Sequence, residues 1–363
     1  MVNQFFARAK FFCLIVLLSG YFACSEEPKS DLIQIPVPEK FDDEIYLEDI
    51  AKSVERIQLE TVEGALLGYI KEVKLLDDKF YVGDSKISVF NREGKFVGRF
   101  GNQGSGPGEY GIITSMTLDS EKGLVYIASG KKIMVYNKEG EFLEEKSFRM
   151  FVNYVELIKQ TPFIMTEEIG IPVDDGFANQ TNLIELNSDL DVLDTLPFRT
   201  VLLHQVEIGG YPYRHYFSDN GEGVFLYKSV LTSENMIRDT LYRFVDKKFI
   251  PYLRLKFERP QSMKESPIND RGYQTLLLHN IMYSANYLIA EYTIEWEKMM
   301  FLYDKRSSKG YNLNGGVLDE DGEPLILYPL DLANDIFYFV KSVEYQDATI
   351  EEANPVIGVV QLK

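Results

Sequence analysis

The sequence is poor in the residues that most often carry nucleophilic or metal chemistry. It has two cysteines, three histidines and one tryptophan in 363 residues. None of His204, His215 and His279 has a second histidine four residues away, so a His-Glu-x-x-His zinc site is excluded. No Gly-x-Ser-x-Gly segment occurs, which excludes the nucleophile elbow of the α/β-hydrolases. We therefore expect no catalytic residues and no metal.

Positive charge is also scarce, since the sequence has 38 Lys and Arg but 56 Asp and Glu, which gives a formal net charge of −18. Nucleic acid binding needs clustered basic residues, so we expect no nucleic acid partner. Two acidic turns, at residues 174–176 and 319–322, are similar to the start of a calcium loop but lack its remaining ligands and closing Glu. We expect no cofactor, with calcium as the minor alternative.

The N-terminus has the layout of a signal peptide. Arg8 and Lys10 precede an apolar run at residues 11–18, which is too short to span a bilayer. Cys24 directly follows Ala23, with the small residues Ser19 and Gly20 shortly before it, and this order resembles a bacterial lipobox. We predict a lipoprotein signal peptide over residues 1–23 and lipidation of Cys24. An ordinary signal peptide with an incidental cysteine is the alternative.

Lipidation would leave the mature chain without a free thiol, because Cys13 departs with the signal peptide. The following residues are polar, contain prolines and lack strong periodicity, which predicts a flexible tether over residues 24–44 and one domain over 45–363. Glu26, Glu27 and Asp31 resemble the surface-export signal of Bacteroidetes-type lipoproteins. That resemblance implies attachment to the outer membrane, with periplasmic or surface orientation left open.

A repeat of 46 residues indicates the architecture. Residues 87–97 align without gaps on residues 133–143, and a period near this length is typical of four-stranded propeller blades. In the first copy, Asn91 and Gly94 predict a tight hairpin turn. Weaker copies of the third strand of each unit follow at residues 183–187, 241–246, 300–304 and 355–361. The count is six units.

The last unit reaches the end of the sequence without a fourth strand. The unassigned segment 54–60 can supply that strand, which would close the ring and remove an open sheet edge. The sequence therefore predicts an all-β fold, a six-bladed β-propeller with four-stranded antiparallel blades, closed by an N-terminal strand.

Three segments carry a family resemblance: IQLET at residues 57–61, FNREGKF at 90–96 and GSGPGEY at 104–110. With the acidic tail after Cys24, they resemble the six-bladed β-propeller lipoproteins of Bacteroidetes, relatives of the NHL-repeat propellers. The resemblance covers most of the chain after about residue 45. It implies the fold and an envelope location, and little about activity, because propellers host many unrelated functions.

The glycine-rich segment at residues 100–110 fits the propeller interpretation. No Gly-Lys-Ser/Thr follows it, and Glu109 would repel an anion, so a phosphate site is disfavoured. We interpret the segment as the corner from the outer strand of blade one to the inner strand of blade two, where glycine allows backbone conformations that a Cβ would obstruct.

A binding surface is predicted from the long loops. The connections from the second to the third strand are long at residues 168–182, 228–239 and 342–354, and all emerge on the face that also carries the connectors between blades. Aromatic rings beside an arginine and a histidine on this face could bind a glycan or a peptide. The predicted ligand-binding residues are Glu109, Tyr110, Tyr211, Tyr213, Arg214, His215 and Tyr216. Packing of these rings between blades is the alternative.

These features together predict a lipid-anchored, non-catalytic binding module of the cell envelope, whose partner is a glycan, a peptide or another envelope protein. The alternative is an NHL-like hydrolase or lyase with its site at the mouth of the central channel. That enzyme would require His215, Glu109 and an arginine to meet within hydrogen-bonding distance.

Overall fold

The computed structural model describes residues 32–42, 44–209, 215–232, 237–258, 276–294, 296–342 and 353–363. Contacts divide the chain into two compact units, Met1–Ile33 and Gln34–Lys363, and the second holds the propeller. Over the described ranges, no helix has the length and apolar character needed to cross a bilayer.

The fold is all-β, with six antiparallel blades arranged as a six-bladed β-propeller, as predicted. We call the strands of a blade A to D from the central channel outwards. Three elements precede the first blade: β1 (Ile33–Val37), the single-turn helix α1 (Leu47–Ile50) and β2 (Ala51–Gln58).

The first three blades follow one another along the chain. Blade one contains β3 (Glu72–Leu76), β4 (Lys79–Gly83), β5 (Ile87–Asn91) and β6 (Phe96–Phe100). A short parallel pair follows, β7 (Asn102–Gln103) and β8 (Glu109–Tyr110). Blade two contains β9 (Ile113–Asp119), β10 (Leu124–Ser129), β11 (Lys132–Asn137) and β12 (Phe142–Ser147). Blade three contains β13 (Phe151–Ile158), β14 (Thr161–Val173), β15 (Gly176–Leu186) and β16 (Val192–Leu203).

The remaining blades complete the ring. Blade four contains β17 (Phe217–Asp219), β18 (Val224–Leu226), β19 (Thr240–Val245) and β20 (Lys248–Phe257). Blade five contains β21 (Leu276–Tyr283), β22 (Tyr287–Ile294), β23 (Glu297–Asp304) and β24 (Lys309–Asn314). A hairpin follows, β25 (Val317–Leu318) and β26 (Pro324–Leu325). Blade six contains β27 (Tyr328–Asp331), a 3-10 turn (Leu332–Asn334), β28 (Ile336–Lys341) and β29 (Val356–Leu362).

The repeated Asn-x-x-Gly turns form as the 46-residue repeat predicts. The amide of Gly94 donates to the carbonyl of Asn91, and the Oδ1 of Asn91 accepts from the amide of Lys95. The same backbone bond joins Gly140 to Asn137 in blade two. Both glycines have φ near +80 to +90°, a conformation that other residues rarely adopt. The turn chemistry therefore fixes the hairpin between strands C and D.

The ring closes through the N-terminal strand, as predicted. β2 pairs antiparallel with β29 and occupies the outer position of blade six, with Val54 opposite Val360. The strand extends over Ala51–Gln58, so it begins and ends slightly before the predicted segment. The last blade therefore has its full set of four strands.

The tether prediction for residues 24–44 is corrected over its second half. β1 forms a fifth strand on the outer edge of blade four, next to β20. Ile35 and Val37 are 3% and 1% exposed and belong to the same apolar cluster as Leu255. Pro36 lies on the exposed side, where its missing N–H blunts the sheet edge. The segment is too short for its alternation to stand out in the sequence.

Candidate functional site

The two faces of the propeller differ in their connections. The loop face carries the B-to-C loops and the D-to-A connectors between blades, and the turn face carries the A-to-B and C-to-D turns. Exposed large apolar side chains in these connections lie on the loop face: Val62, Leu66, Tyr69, Ile112, Val206, Ile208 and Trp296. Among the residues that the structure describes, no turn on the turn face exposes such a side chain.

Blade three projects beyond the ring on the loop face. The predicted loop at residues 168–182 is instead a continuation of β14 and β15, which pair as far as Val173 opposite Gly176. The inner strand β13 ends its pairing at Phe151 opposite Glu167, so the outer part of this hairpin stands free of strand A. A bulge at residues 169–170 disturbs the alternation, and this is why the sequence reads as a loop there. The hairpin adds a ridge to the loop face.

A buried asparagine organises the connector from blade six to blade one. The Nδ2 of Asn354 donates to the carbonyls of Glu60 and Ala65, at 2.8 Å each, and its Oδ1 accepts from the amide of Leu67 at 2.9 Å. Asn354 is 2% exposed. Its side chain therefore shapes the connector that presents Tyr69 to solvent.

Only part of the predicted ligand-binding set falls in the described residues. Tyr211, Tyr213 and Arg214 lie outside them, as does the predicted lipidation site Cys24. His215 and Tyr216 are described, and they are 3% and 5% exposed.

His215 and Tyr216 contact residues from other blades. The Nε2 of His215 lies 3.4 Å from the hydroxyl of Tyr338, and its ring centroid lies 5.9 Å from that of Tyr328. Tyr216 packs on Tyr154 with 4.9 Å between ring centroids. Burial raises the pKa of Tyr338 and of Tyr154 well above its usual range, so both phenols stay neutral at physiological pH. These contacts favour the interblade packing that the sequence left as the alternative.

Glu109 and Tyr110 belong to the glycine-rich corner. The carboxylate of Glu109 accepts from the amide of Gly106 at 2.9 Å. The hydroxyl of Tyr110, a residue 1% exposed, donates to the carbonyl of Phe100 at 2.9 Å. Among the described residues, Glu109 thus bonds within its own connector, and His215 contacts blade six.

The acidic turn after blade five is closed by a lysine. The Nζ of Lys341 lies 2.5 Å from Asp319, 2.8 Å from Asp321 and 3.4 Å from Glu323. Burial opposes ionisation of Asp319, but its hydrogen bonds to Lys341 and to backbone amides lower its pKa overall. The ammonium group of Lys341 thus offsets the mutual repulsion of the three carboxylates. In the described part of the chain, no group of three or more His, Cys, Asp or Glu is arranged to hold a metal ion.

Sequence reasoning missed a buried charged cluster between blades three and four, formed by Glu167, Arg199 and Lys228. Its members come from three separate strands or strand ends, and only the strand register brings them together. No local motif marks them, because each residue stands alone in its own segment.

Comparisons with known proteins agree with the fold. A family model described as "Domain of unknown function (DUF4934)" matches residues 32–361. A protein from Bacteroides fragilis described as exported is similar over 92% of this chain and 99% of its own, with a TM-score of 0.66 and 18% identity. At that identity the similarity shows the fold alone.

Two further solved structures are more distant. The aldose sugar dehydrogenase of Streptomyces coelicolor, solved with bound PQQ, gives a TM-score of 0.44 at 13% identity over 86% of this chain and 100% of its own. A protein of unknown function from Bacteroides caccae gives 0.38 at 12% identity over 77% and 87%. Neither score supports a functional argument. No curated protein matches.

Proposed function

The chain belongs to the family described as domain of unknown function (DUF4934), and from its geometry we propose a lipid-anchored, non-catalytic interaction module of the cell envelope that binds a protein or peptide through its loop face.

The distribution of exposed apolar side chains carries this proposal. Tyr69, Ile112, Ile208 and Trp296 are each more than 70% exposed, and they belong to connections of different blades on one face. Exposed apolar side chains surrounded by a polar rim are typical of surfaces that bind another macromolecule. Because these residues come from several blades, a polypeptide suits the surface better than a single sugar ring.

Attachment to the envelope is supported by the N-terminal sequence. The basic residues, the apolar run and Cys24 have the order of a lipoprotein signal. Export of the Bacteroides fragilis protein agrees with this reading. A lipid on Cys24 would hold the propeller at the membrane and present its surface to other envelope proteins.

Site-specific photo-crosslinking in the producing cell tests the binding face. A photo-reactive amino acid at Tyr69 or Ile112 should crosslink one partner protein, whereas the same amino acid at Glu139 or Asp246, exposed on the turn face, should not. The matched substitution Ile112→Ser should remove the crosslink formed from Tyr69. Equal crosslinking from both faces, or none from the loop face, would contradict the proposal.

The anchor is tested separately by Cys24→Ala. Several acyl chains bind a membrane stably, so the wild type should fractionate with membranes and the variant should be released. Retention of the variant in the membrane pellet, or an unmodified N-terminus by mass spectrometry, would refute lipidation. Neither outcome would affect the crosslinking test of the binding face.

A further inference from the structure

Trp296 lies at the tip of the hairpin between β22 and β23 of blade five. These strands pair as far as Ile294 opposite Glu297, so the connection is a two-residue turn. Trp296 takes the second position of this turn with a φ of +79°. Glycine or asparagine usually adopts such a conformation in turns of this length, because a larger side chain is crowded by the backbone. A tryptophan at this position therefore strains the turn.

The other described residues with a positive φ follow a different pattern. Ten described residues other than glycine have a positive φ, and nine of them lie in turns of the turn face. Eight of these nine are polar, and the ninth, Leu190, is 1% exposed. Among the described residues, only Trp296 combines a positive φ with an exposed apolar side chain and a position on the loop face.

The exposure of Trp296 adds to this strain. Its side chain is 72% exposed, so most of the indole surface is not buried by the fold. Glycine or asparagine would form the same turn at a lower conformational cost. Strained residues of this kind concentrate at binding sites, where the strain is part of the mechanism. The strain and the exposure together make Trp296 a candidate for direct contact with a partner.

The hairpin also fixes the position of the indole. β22 and β23 pair over their whole length without a bulge, and Met300 and Phe301 at the base of the hairpin are both 0% exposed. A side chain on such a rigid turn loses little conformational freedom when it enters a partner, which lowers the cost of binding. Tryptophan is also one of the residues most enriched among those that dominate interface energies.

We propose that Trp296 is the anchor residue through which the loop face holds its protein partner, an inference that rests on the proposed function. The partner offers an apolar pocket for the indole ring and an oxygen atom that accepts a hydrogen bond from its Nε1–H. Replacement of Trp296 would remove the anchor and relieve the strained turn at the same time. Binding and stability should therefore change in opposite directions.

Melting curves of two variants test the strain. Glycine adopts a positive φ freely, so Trp296→Gly should melt about 1–2 °C above the wild type. Trp296→Phe keeps an aromatic ring in the strained turn and should melt with the wild type. If Trp296→Gly melts with or below the wild type, the indole does not strain the fold and the proposal is overturned.

The photo-crosslink from Tyr69 in the producing cell tests the anchor. Trp296→Gly should reduce the yield of this crosslink at least tenfold, and Trp296→Phe should retain more of it than Trp296→Gly. The matched control is Leu143→Ser, which removes a 51% exposed apolar side chain from the outer strand of blade two and should leave the yield unchanged.

The outcomes separate this inference from the proposed function. An unchanged crosslink in Trp296→Gly would refute the anchor and leave the binding face intact. An equal loss in Leu143→Ser, or a crosslinked product made of two copies of this chain, would also overturn the anchor. Absence of any crosslink from Tyr69 and Ile112 in the otherwise wild-type chain would refute the proposed function, and the anchor with it.

Discussion

The docking of β1 on blade four can be tested by a single truncation of a buried side chain, Ile35→Ala. Ile35 is 3% exposed and packs in the apolar cluster that includes Leu255 and Phe257. Truncating a buried isoleucine to alanine costs about 2–5 kcal/mol, and an edge strand relaxes more easily than a central one, so we expect about 2–3 kcal/mol. The matched control is Gln34→Ala, which alters an exposed side chain of the same strand.

The assay is calorimetry of the chain from Ser25 onwards. Intrinsic tryptophan fluorescence would report poorly, because the single tryptophan, Trp296, is 72% exposed. For a domain of this size, 1 kcal/mol shifts the melting temperature by about 1–2 °C, so Ile35→Ala should melt about 3–5 °C below the wild type. Gln34→Ala should melt with the wild type. If Ile35→Ala also melts with the wild type, β1 does not contribute to the fold and the tether interpretation returns.

Three further changes have expected outcomes. Asn354→Ala leaves one buried and two partly buried backbone groups without their side-chain partner. Each such loss costs about 1–3 kcal/mol, so denaturation should show a loss of about 3 kcal/mol or more, and a loss under about 1 kcal/mol would refute that role. Gly358→Ala places a methyl group into the ring of Phe339 and should lower the melting temperature by several degrees, whereas Gly111→Ala has open space and should not; equal melting would refute the close packing. Burial and, secondarily, the charge of Lys298 lower the pKa of His279 to about 4. Because the unfolded chain binds this proton more readily, the free energy of unfolding should fall as the pH drops from about 6.5 to 4. His279→Gln should flatten that part of the wild-type pH profile.

The parts of the fold set by local chemistry could be predicted from the sequence. Asn91 with Gly94 and Asn137 with Gly140 specify turns through side-chain caps and positive φ, and a turn needs no distant partner. The closing strand was also predictable, because a blade with three strands leaves an edge that must be paired.

The elements that the sequence does not predict depend on contacts between residues far apart in the chain. The sequence predicts a tether at β1 because five residues are too few to show a period, and only the packing of this strand on blade four reveals it. The sequence predicts a loop at the hairpin of blade three because a bulge interrupts the alternation of apolar and polar residues. The buried charged cluster of Glu167, Arg199 and Lys228 depends on the register of three strands and on the position of a neighbouring blade, neither of which a single sequence specifies.

Connector length gives a physical reason why the proposed binding surface lies on the loop face. A D-to-A connector must cross three strand spacings of about 4.8 Å each, about 14 Å, which about four or five extended residues can span. Residues 148–150 make one such crossing with nearly the shortest possible chain, whereas the connector before blade one covers residues 59–71. The surplus in that connector is not needed to join the blades, and it is there that Val62, Leu66 and Tyr69 are exposed. The proposed binding surface can therefore use these side chains without altering the crossing that joins blade six to blade one.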